Sequence, residues 1–336
     1  MSMKRKFGKF AVVFLSVVLL AGAFTMNAAQ AEVKTLRLGH VVQEGSAPDA
    51  GSRMFAELVK TKSGGTMLIE VYASGTLGQN REMVEMLQSG ALDFTHPTVA
   101  VLSGFTNKTK VLDLPFLFKD AASAEKVLTG TIGQEILSSL EEKGLIGLGW
   151  YSQGWRNTTT NKEIHNPEDF KGIKIRTQDN ALHLAAFNQL GASAIPMAFS
   201  EVFTGLQQKT IDAQENPYTN IFLNGYYEVQ KYVIETQHIY DCIALLMSEK
   251  VFNSLTAEQQ TIIRESALEA AAFEREFVMK KDAESKQAII DTKKTEIIEL
   301  TSEQRAAFRE AVQPVYDKYA AEIGEDLIKQ IADLQK

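Results

Sequence analysis

Residues Arg81–Pro97 read REMVEMLQSGALDFTHP. Met83, Met86 and Leu87 share one face of a helix, Gly90 stops it, and ALDFTH returns as a strand. A helix that turns tightly into a strand is the building unit of an α/β fold. The unit recurs 119 residues on, where Ser200–Asn216 reads SEVFTGLQQKTIDAQEN. Glu201, Leu206, Gln207 and Asp212 repeat the spacing of Glu82, Leu87, Gln88 and Asp93. Each strand ends in polar residues: Thr95, His96 and Thr98 in one copy, Gln214, Glu215 and Asn216 in the other. Ligands of open α/β sheets sit beyond the carboxyl ends of the strands. Two lobes built this way present those ends to each other across a shared cleft.

The flanking chain keeps the α/β alternation. KTLRLGH is a first strand, and the helix after it has Ser46 to cap it, Pro48 in its first turn and Gly64-Gly65 to stop it. TMLIEVYAS is a second strand, LIGLGWYS a later, fully apolar one, and GIKIR a short one with Ile173 and Ile175 on one face. Thr256 to Lys294 contains neither Gly nor Pro and reads as one long helix of roughly 55 Å, enough to brace both lobes. The tail is amphipathic helix broken at Pro314 and Gly324.

The amino terminus belongs to no lobe. Lys4, Arg5, Lys6 and Lys9 precede an apolar run, and Ala29-Gln30-Ala31 forms an A-x-A site, so residues 1–31 read as a cleavable secretory signal peptide. Without its four basic residues the chain keeps 31 basic against 42 acidic side chains, a net charge of −11. Such a chain is a poor partner for nucleic acid. Cys242 stands alone and forms no internal disulfide, which suits export to a Gram-negative periplasm without a lipid anchor. There is no P-loop and no H-E-x-x-H, and the five histidines lack metal-ligand spacing, so neither cofactor nor metal is expected. GLGWYSQG fails as a dinucleotide fingerprint at Ser152 and as a nucleophile elbow at Trp150.

Three further stretches sit together: GLGWYSQGWRNTTTNKEIHNPEDFKGIKIRTQDN, GASAIPMAFSEVFTGLQQKTIDAQENP and YYEVQKYVIETQH. With LRLGH, YASGTLGQNREMVEMLQSGALDF and LDLPFLF, they resemble the solute-binding proteins of tripartite ATP-independent periplasmic (TRAP) transporters, from about Leu36 to the long helix. The resemblance implies a two-lobed periplasmic binding protein fold with a central cleft, crossover strands and a long lobe-spanning helix. It implies a monomer that captures a small organic acid and passes it to an ion-driven membrane permease, and it implies no catalysis. The expected division is 32–153 plus about 242–281 for the first lobe, and 154–241 plus about 282–336 for the second.

On the residue alone, Arg176 at the end of GIKIR is a solvated sheet-edge charge. The resemblance makes it the clamp for the ligand carboxylate, and a guanidinium fork matches a carboxylate bidentately. Arg156 matches a second family arginine, which either touches the ligand or holds a polar network with Glu215 and His238. Asn216 resembles a residue bonding the carboxylate region, and Phe199 an apolar wall. On the first lobe, His40, Gln43, Glu44, His96 and Thr98 follow strands toward the far end of the ligand, and Trp155 is placed to stack on a sugar ring. The sialic acid binders of the family carry asparagine where this chain has Asp179 and glutamate where it has Thr98. Glu44 and Asp179 as hydroxyl acceptors instead suit a polyhydroxylated acid such as a uronate or aldonate. A small mono- or dicarboxylate is the alternative, and a periplasmic sugar-acid enzyme a further one.

Overall fold

Among residues 33–336, which the computed structural model describes, nine strands form one mixed sheet. The leader expected over residues 1–31 lies outside the described residues. The strands are β1 (Lys34–Gly39), β2 (Met67–Tyr72), β3 (Phe94–Thr95), β4 (Leu145–Thr160), β5 (Lys174–Thr177), β6 (Ser193–Pro196), β7 (Ala213–Asn216), β8 (Tyr232–Ser248) and β9 (Glu296–Ile298). Their order is β2-β1-β3-β8-β4-β7-β5-β6, with β9 against β8. β1 runs parallel to β2 and β3, and β5 parallel to β6 and β7. These two parallel groups are the sheets of two lobes. The long antiparallel pair β4 and β8 joins them, β3 pairing with the end of β8 and β7 with the end of β4.

The repeated unit holds down to single hydrogen bonds. In the first copy Gly90 N donates to Leu87 O, and Ala91 N and Leu92 N both donate to Met86 O. In the second, Lys209 N donates to Leu206 O, and Thr210 N and Ile211 N both donate to Gly205 O. Gly90 and Lys209 occupy the same left-handed position, at φ 82° and 58°. The repeated aspartate also does the same work twice. Asp93 Oδ2 accepts from Arg37 N at 2.7 Å and Asp212 Oδ2 from Lys174 N at 2.9 Å, each fastening the neighbouring parallel strand.

Several boundaries differ from the sequence reading. The third strand covers Phe94–Thr95 rather than all of ALDFTH, because Pro97 has no N–H to continue the ladder. The apolar strand expected to end near Ser152 continues to Thr160 through register shifts, one of them between Ser152 and Trp155. Gly154, at φ 84°, lies in that shift and hides the continuity from a pattern search. The bulge leaves the Ser152 N–H to Glu274 Oε2, which accepts it at 3.0 Å.

The long helix is continuous over Ala257–Thr292, opened by a Thr256–Gln259 capping box and closed by Lys293 in the left-handed region. It packs on the first-lobe helix Ala47–Lys62, on β4, and on the second-lobe helix Tyr218–Leu223, bracing both lobes. The tail forms helices Ser302–Ala311, Gln313–Ile323 and Glu325–Leu334. Its first break falls at Val312, and Pro314 sits in the first turn of the next helix, where its missing N–H costs nothing. The middle tail helix touches both the helix Ala181–Gln189 and segment Lys108–Asp113, and the last one touches the helix Ala121–Thr129. The tail thus reaches segments on both sides of the expected lobe division.

The shared left-handed turn makes a paired prediction. At Gly90 an added Cβ meets only ordinary contacts with Lys250, so Gly90→Ala costs backbone strain alone, about 1 kcal/mol. Lys209→Gly relieves the same strain and adds up to about 1 kcal/mol. Urea unfolding should show opposite shifts in midpoint with unchanged slopes.

Candidate functional site

The carboxyl ends of β1, β3, β5, β6 and β7 converge on a cavity of about 420 Å³. Arg156 and Gln153 enter it from β4, Ile243 from β8, and Phe199 and Met197 from the turn after β6. At the rim, Thr98 Oγ1 donates to Gln178 Oε1 at 2.6 Å, so the two lobes touch across the cleft.

Arg176 stands on the cavity wall at the end of β5, with 3% of its surface exposed. Nε and Nη2 both donate to Met197 O, at 3.0 and 2.8 Å. That leaves Nη1 buried without a protein partner. Burial without a paired carboxylate pulls its pKa down to about 10, so the charge is costly until an anion meets it. A sheet-edge arginine in solvent would show none of this.

Arg156 is fully buried, with a protein partner on each of its three nitrogens. Nε and Nη2 grip the Glu215 carboxylate, Nη2 also donates to Glu215 O at 2.5 Å, and Nη1 donates to Asp241 Oδ2 at 2.5 Å. Burial opposes its charge, but the two carboxylates outweigh burial and hold the guanidinium protonated. Burial pushes Glu215 up, yet Arg156 and His238 overcome it and keep that carboxyl well below its usual range. His238 Nε2 lies 3.2 Å from Glu215 Oε2, and its Nδ1 lies 2.8 Å from Thr236 Oγ1. Of the two roles open to Arg156, the network with Glu215 and His238 is built, while Arg156 also faces the cavity. Glu215 and His238 stand behind it, off the wall.

The remaining candidates divide. Asn216, Phe199, His96, Thr98 and Asp179 line the cavity. His40 does not: its ring is buried, stacks on His96 at 4.6 Å and bonds Asp49 Oδ1 at 3.2 Å. Glu44 points to solvent and pairs with Arg53 at 3.1 Å. Trp155 packs edge-on against Tyr240 at 5.3 Å and is not among the residues lining the cavity. Gln43 lines an adjoining cavity and crosses the cleft, donating to Asn224 Oδ1 at 3.2 Å.

Sequence reasoning passed over Asn80, Arg81, Gln153, Gln178 and Asn220, all on the wall. Asn80 and Arg81 open the helix of the repeated unit, so the rule placing ligands at strand ends did not reach them. Asn80 Oδ1 and His96 Nε2 are buried without protein partners, like Arg176 Nη1. Burial, reinforced by His40, drives the His96 pKa well below the imidazole range, so it offers a neutral nitrogen. An amide chain floors the cavity: Gln153 Nε2 donates to Asp241 Oδ2 at 3.2 Å, and Asn220 Nδ2 donates to Gln153 Oε1 at 2.8 Å and to Asn216 Oδ1 at 3.1 Å.

Residues 38–322 match the model of the DctP family, described as bacterial extracellular solute-binding protein, family 7. The chain is 33% identical over 321 residues to the 2,3-diketo-L-gulonate-binding periplasmic protein YiaO of Escherichia coli, covering 94% of this chain and 97% of that protein. A TRAP periplasmic solute-binding protein from Shewanella oneidensis with bound succinate superposes with a TM-score of 0.88 at 30% identity, covering 90% of this chain and all of that one. The sugar acid-binding protein DctPAm from Advenella mimigardefordensis, in complex with galactonate, gives 0.87 at 33% identity, covering 90% and 98%. Members of the family bind solutes for transport and are not enzymes. A two-lobed fold, a cleft arginine with an unmet donor and a family match over most of its length make this chain a solute-binding protein of the TRAP transporter class, in the DctP family.

Proposed function

We propose that this protein captures a hydroxylated carboxylic acid of the sugar-acid class in the periplasm and delivers it to the membrane permease of a TRAP transporter. The observation that carries the reading is the set of three buried polar atoms, Arg176 Nη1, Asn80 Oδ1 and His96 Nε2, left without protein partners around one cavity. Buried polar groups are almost always satisfied, so these await a ligand. Nη1 asks for an anion, and Oδ1 for a hydroxyl donor, with the Asp179 carboxylate on the same wall as a further acceptor. A carboxylate bearing hydroxyls answers all of these. The relatives that bind galactonate and diketogulonate support the same class.

The division at residues 153 and 154 is kept as part of this proposal. The register shift between Ser152 and Trp155 falls there, at the crossover between the lobes. The contacts that span the cleft, Thr98 to Gln178 and Gln43 to Asn224, are already made, which supports reading this structure as the closed form. The signal peptide and monomeric state belong to the same proposal.

A small dicarboxylate is the second reading, and Arg81 favours it as another cation on the wall. That guanidinium is already engaged: it sits 5.2 Å over the Phe105 ring and 3.7 Å from Glu85, with its side chain 52% exposed. An exposed pair adds at most about 1 kcal/mol, so Arg81 is a weak second clamp.

Two measurements test these readings. Calorimetry of the purified protein against galactonate, galacturonate, glucuronate and succinate should show the sugar acids binding more tightly. Succinate alone giving heat would transfer the proposal to dicarboxylates. Arg176→Ala should weaken whichever acid binds by about 2–5 kcal/mol, and near-native affinity would end the clamp. Arg81→Gln should weaken succinate about three- to fivefold and leave galactonate unchanged; equal losses for both would place Arg81 on the common carboxylate.

A further inference from the structure

Arg156 carries one positive charge and is shared by two buried carboxylates. Glu215 spends both oxygens on it and on His238. Asp241, on β8, is 3% exposed and holds its two bonds, from Arg156 Nη1 and Gln153 Nε2, on the single oxygen Oδ2. The nearest uncommitted charge is Arg176, whose field reaches the same cluster. Before a ligand arrives, two guanidinium groups balance two carboxylates. A ligand carboxylate on Arg176 adds a third negative charge to this buried cluster. An uncompensated buried charge costs several kcal/mol, more than moving a proton from solvent.

We propose that Asp241 is a positioning residue that takes up a proton when a carboxylate ligand binds, so that capture by this protein is proton-linked. The inference rests on the carboxylate site proposed above and adds a residue that does not line the cavity. Asp241 can accept the proton at little structural cost. A proton on Oδ1 leaves both Oδ2 bonds intact, and through Gln153 the fixed carboxyl keeps Asn220 and Asn216 aimed at the cavity. Protonating Glu215 would weaken a carboxylate that bonds Arg156 through both of its oxygens. His238 has partners on both ring nitrogens, and burial, with Arg156 and His183 adding to it, lowers its pKa against the pull of Glu215.

The charged and titratable surroundings of Asp241 agree. Burial raises its carboxyl first, Arg156 on β4 opposes that, and Glu215 on β7 and the more distant Asp113 raise it again. Asp113 is matched by His183 at 3.3 Å, and Cys242, next along β8, has its thiol pushed up by burial and stays neutral. Among the described residues, Arg156 is the cation that acts most strongly on Asp241, while His238 adds its pull on Glu215 alone.

Linkage fixes the sign. The liganded state holds more protons than the free state, and galactonate and succinate are ionised throughout the neutral range, so affinity falls as pH rises. The slope approaches a tenfold loss per pH unit for one proton. Calorimetry of the purified protein with galactonate, and with succinate as second probe, in buffers of different ionisation enthalpy gives the proton count directly. Uptake approaching one proton per ligand near pH 7 is expected. Asp241→Asn mimics the protonated carboxyl and should bind with no uptake and a flat pH profile. His238→Gln should retain the uptake whatever its affinity. Wild-type binding with no proton exchanged overturns the inference while leaving the carboxylate site standing. Uptake that persists in Asp241→Asn and vanishes in His238→Gln overturns the assignment to Asp241. No heat with either acid overturns both the inference and the site it rests on.

Discussion

The buried guanidinium of Arg156 is the constraint on which the rest of the site depends. Taken out of water, it is tolerable only if neutralised and bonded on every side. The cluster draws on three strands: β4 supplies the arginine, β7 supplies Glu215 and β8 supplies Asp241. Meeting that one demand draws together the strands that carry the crossover between lobes. Removing one member of such a cluster leaves charge uncompensated, a loss on the order of 3–5 kcal/mol. The cluster therefore holds β7 and β8 in place, and with them Asn216 and the amide chain on the cavity floor.

The two arginines do opposite things for the same physical reason. Arg156 has a carboxylate on each of its three nitrogens, so it is rigid and its charge is already met. Arg176 has two of its nitrogens tied to one backbone oxygen, Met197 O, which fixes its direction without cancelling its charge. A carbonyl orients a guanidinium; a carboxylate would also neutralise it. Placing the carboxylates on Arg156 and only a carbonyl on Arg176 leaves an aimed cation with no carboxylate bonded to it at a strand end. That is how a protein of strongly negative net charge can favour an anion. Long-range repulsion is screened beyond about 8 Å, and selection is left to the local charge.

Much of this was legible from residue patterns. The repeat was visible because Leu87 and Leu206 are both buried and Asp93 and Asp212 both fasten neighbouring strands, so the same residue types suit both copies. The left-handed turn was half visible: Gly90 announces it, whereas Lys209 takes the same conformation with a side chain that gives no sign. β4 was cut short because periodicity ends at a bulge, while pairing with β8 resumes beyond it. Asp241 was missed because a lone aspartate in YDCIALL looks like any interruption of a strand. Its meaning lies in Arg156, 85 positions away in sequence. His40 and Glu44 were expected at the ligand because they follow the first strand. Asp49 and Arg53, on the next helix, take them instead.

The continuous sheet sets how the two lobes can move. Two lobes joined by flexible linkers would have no preferred path; here β4 and β8 pass through both, and their pairing is interrupted at register shifts, one of them between Ser152 and Trp155. A bulge bends and twists a strand pair more readily than a regular ladder does. The Ser152 N–H freed there is taken by Glu274, a buried carboxyl on the long helix whose pKa burial drives well above the usual range. Two turns further along the same helix, Asp282 accepts from Thr219 N at 3.2 Å, three residues past Asn216. The helix thus grips the crossover at one point and the binding-site segment at another. Any rotation of the second lobe about the bulge must move Thr219 relative to Ser152. Both are bonded to one rigid rod, so the rod limits that rotation and returns the cleft to a defined geometry.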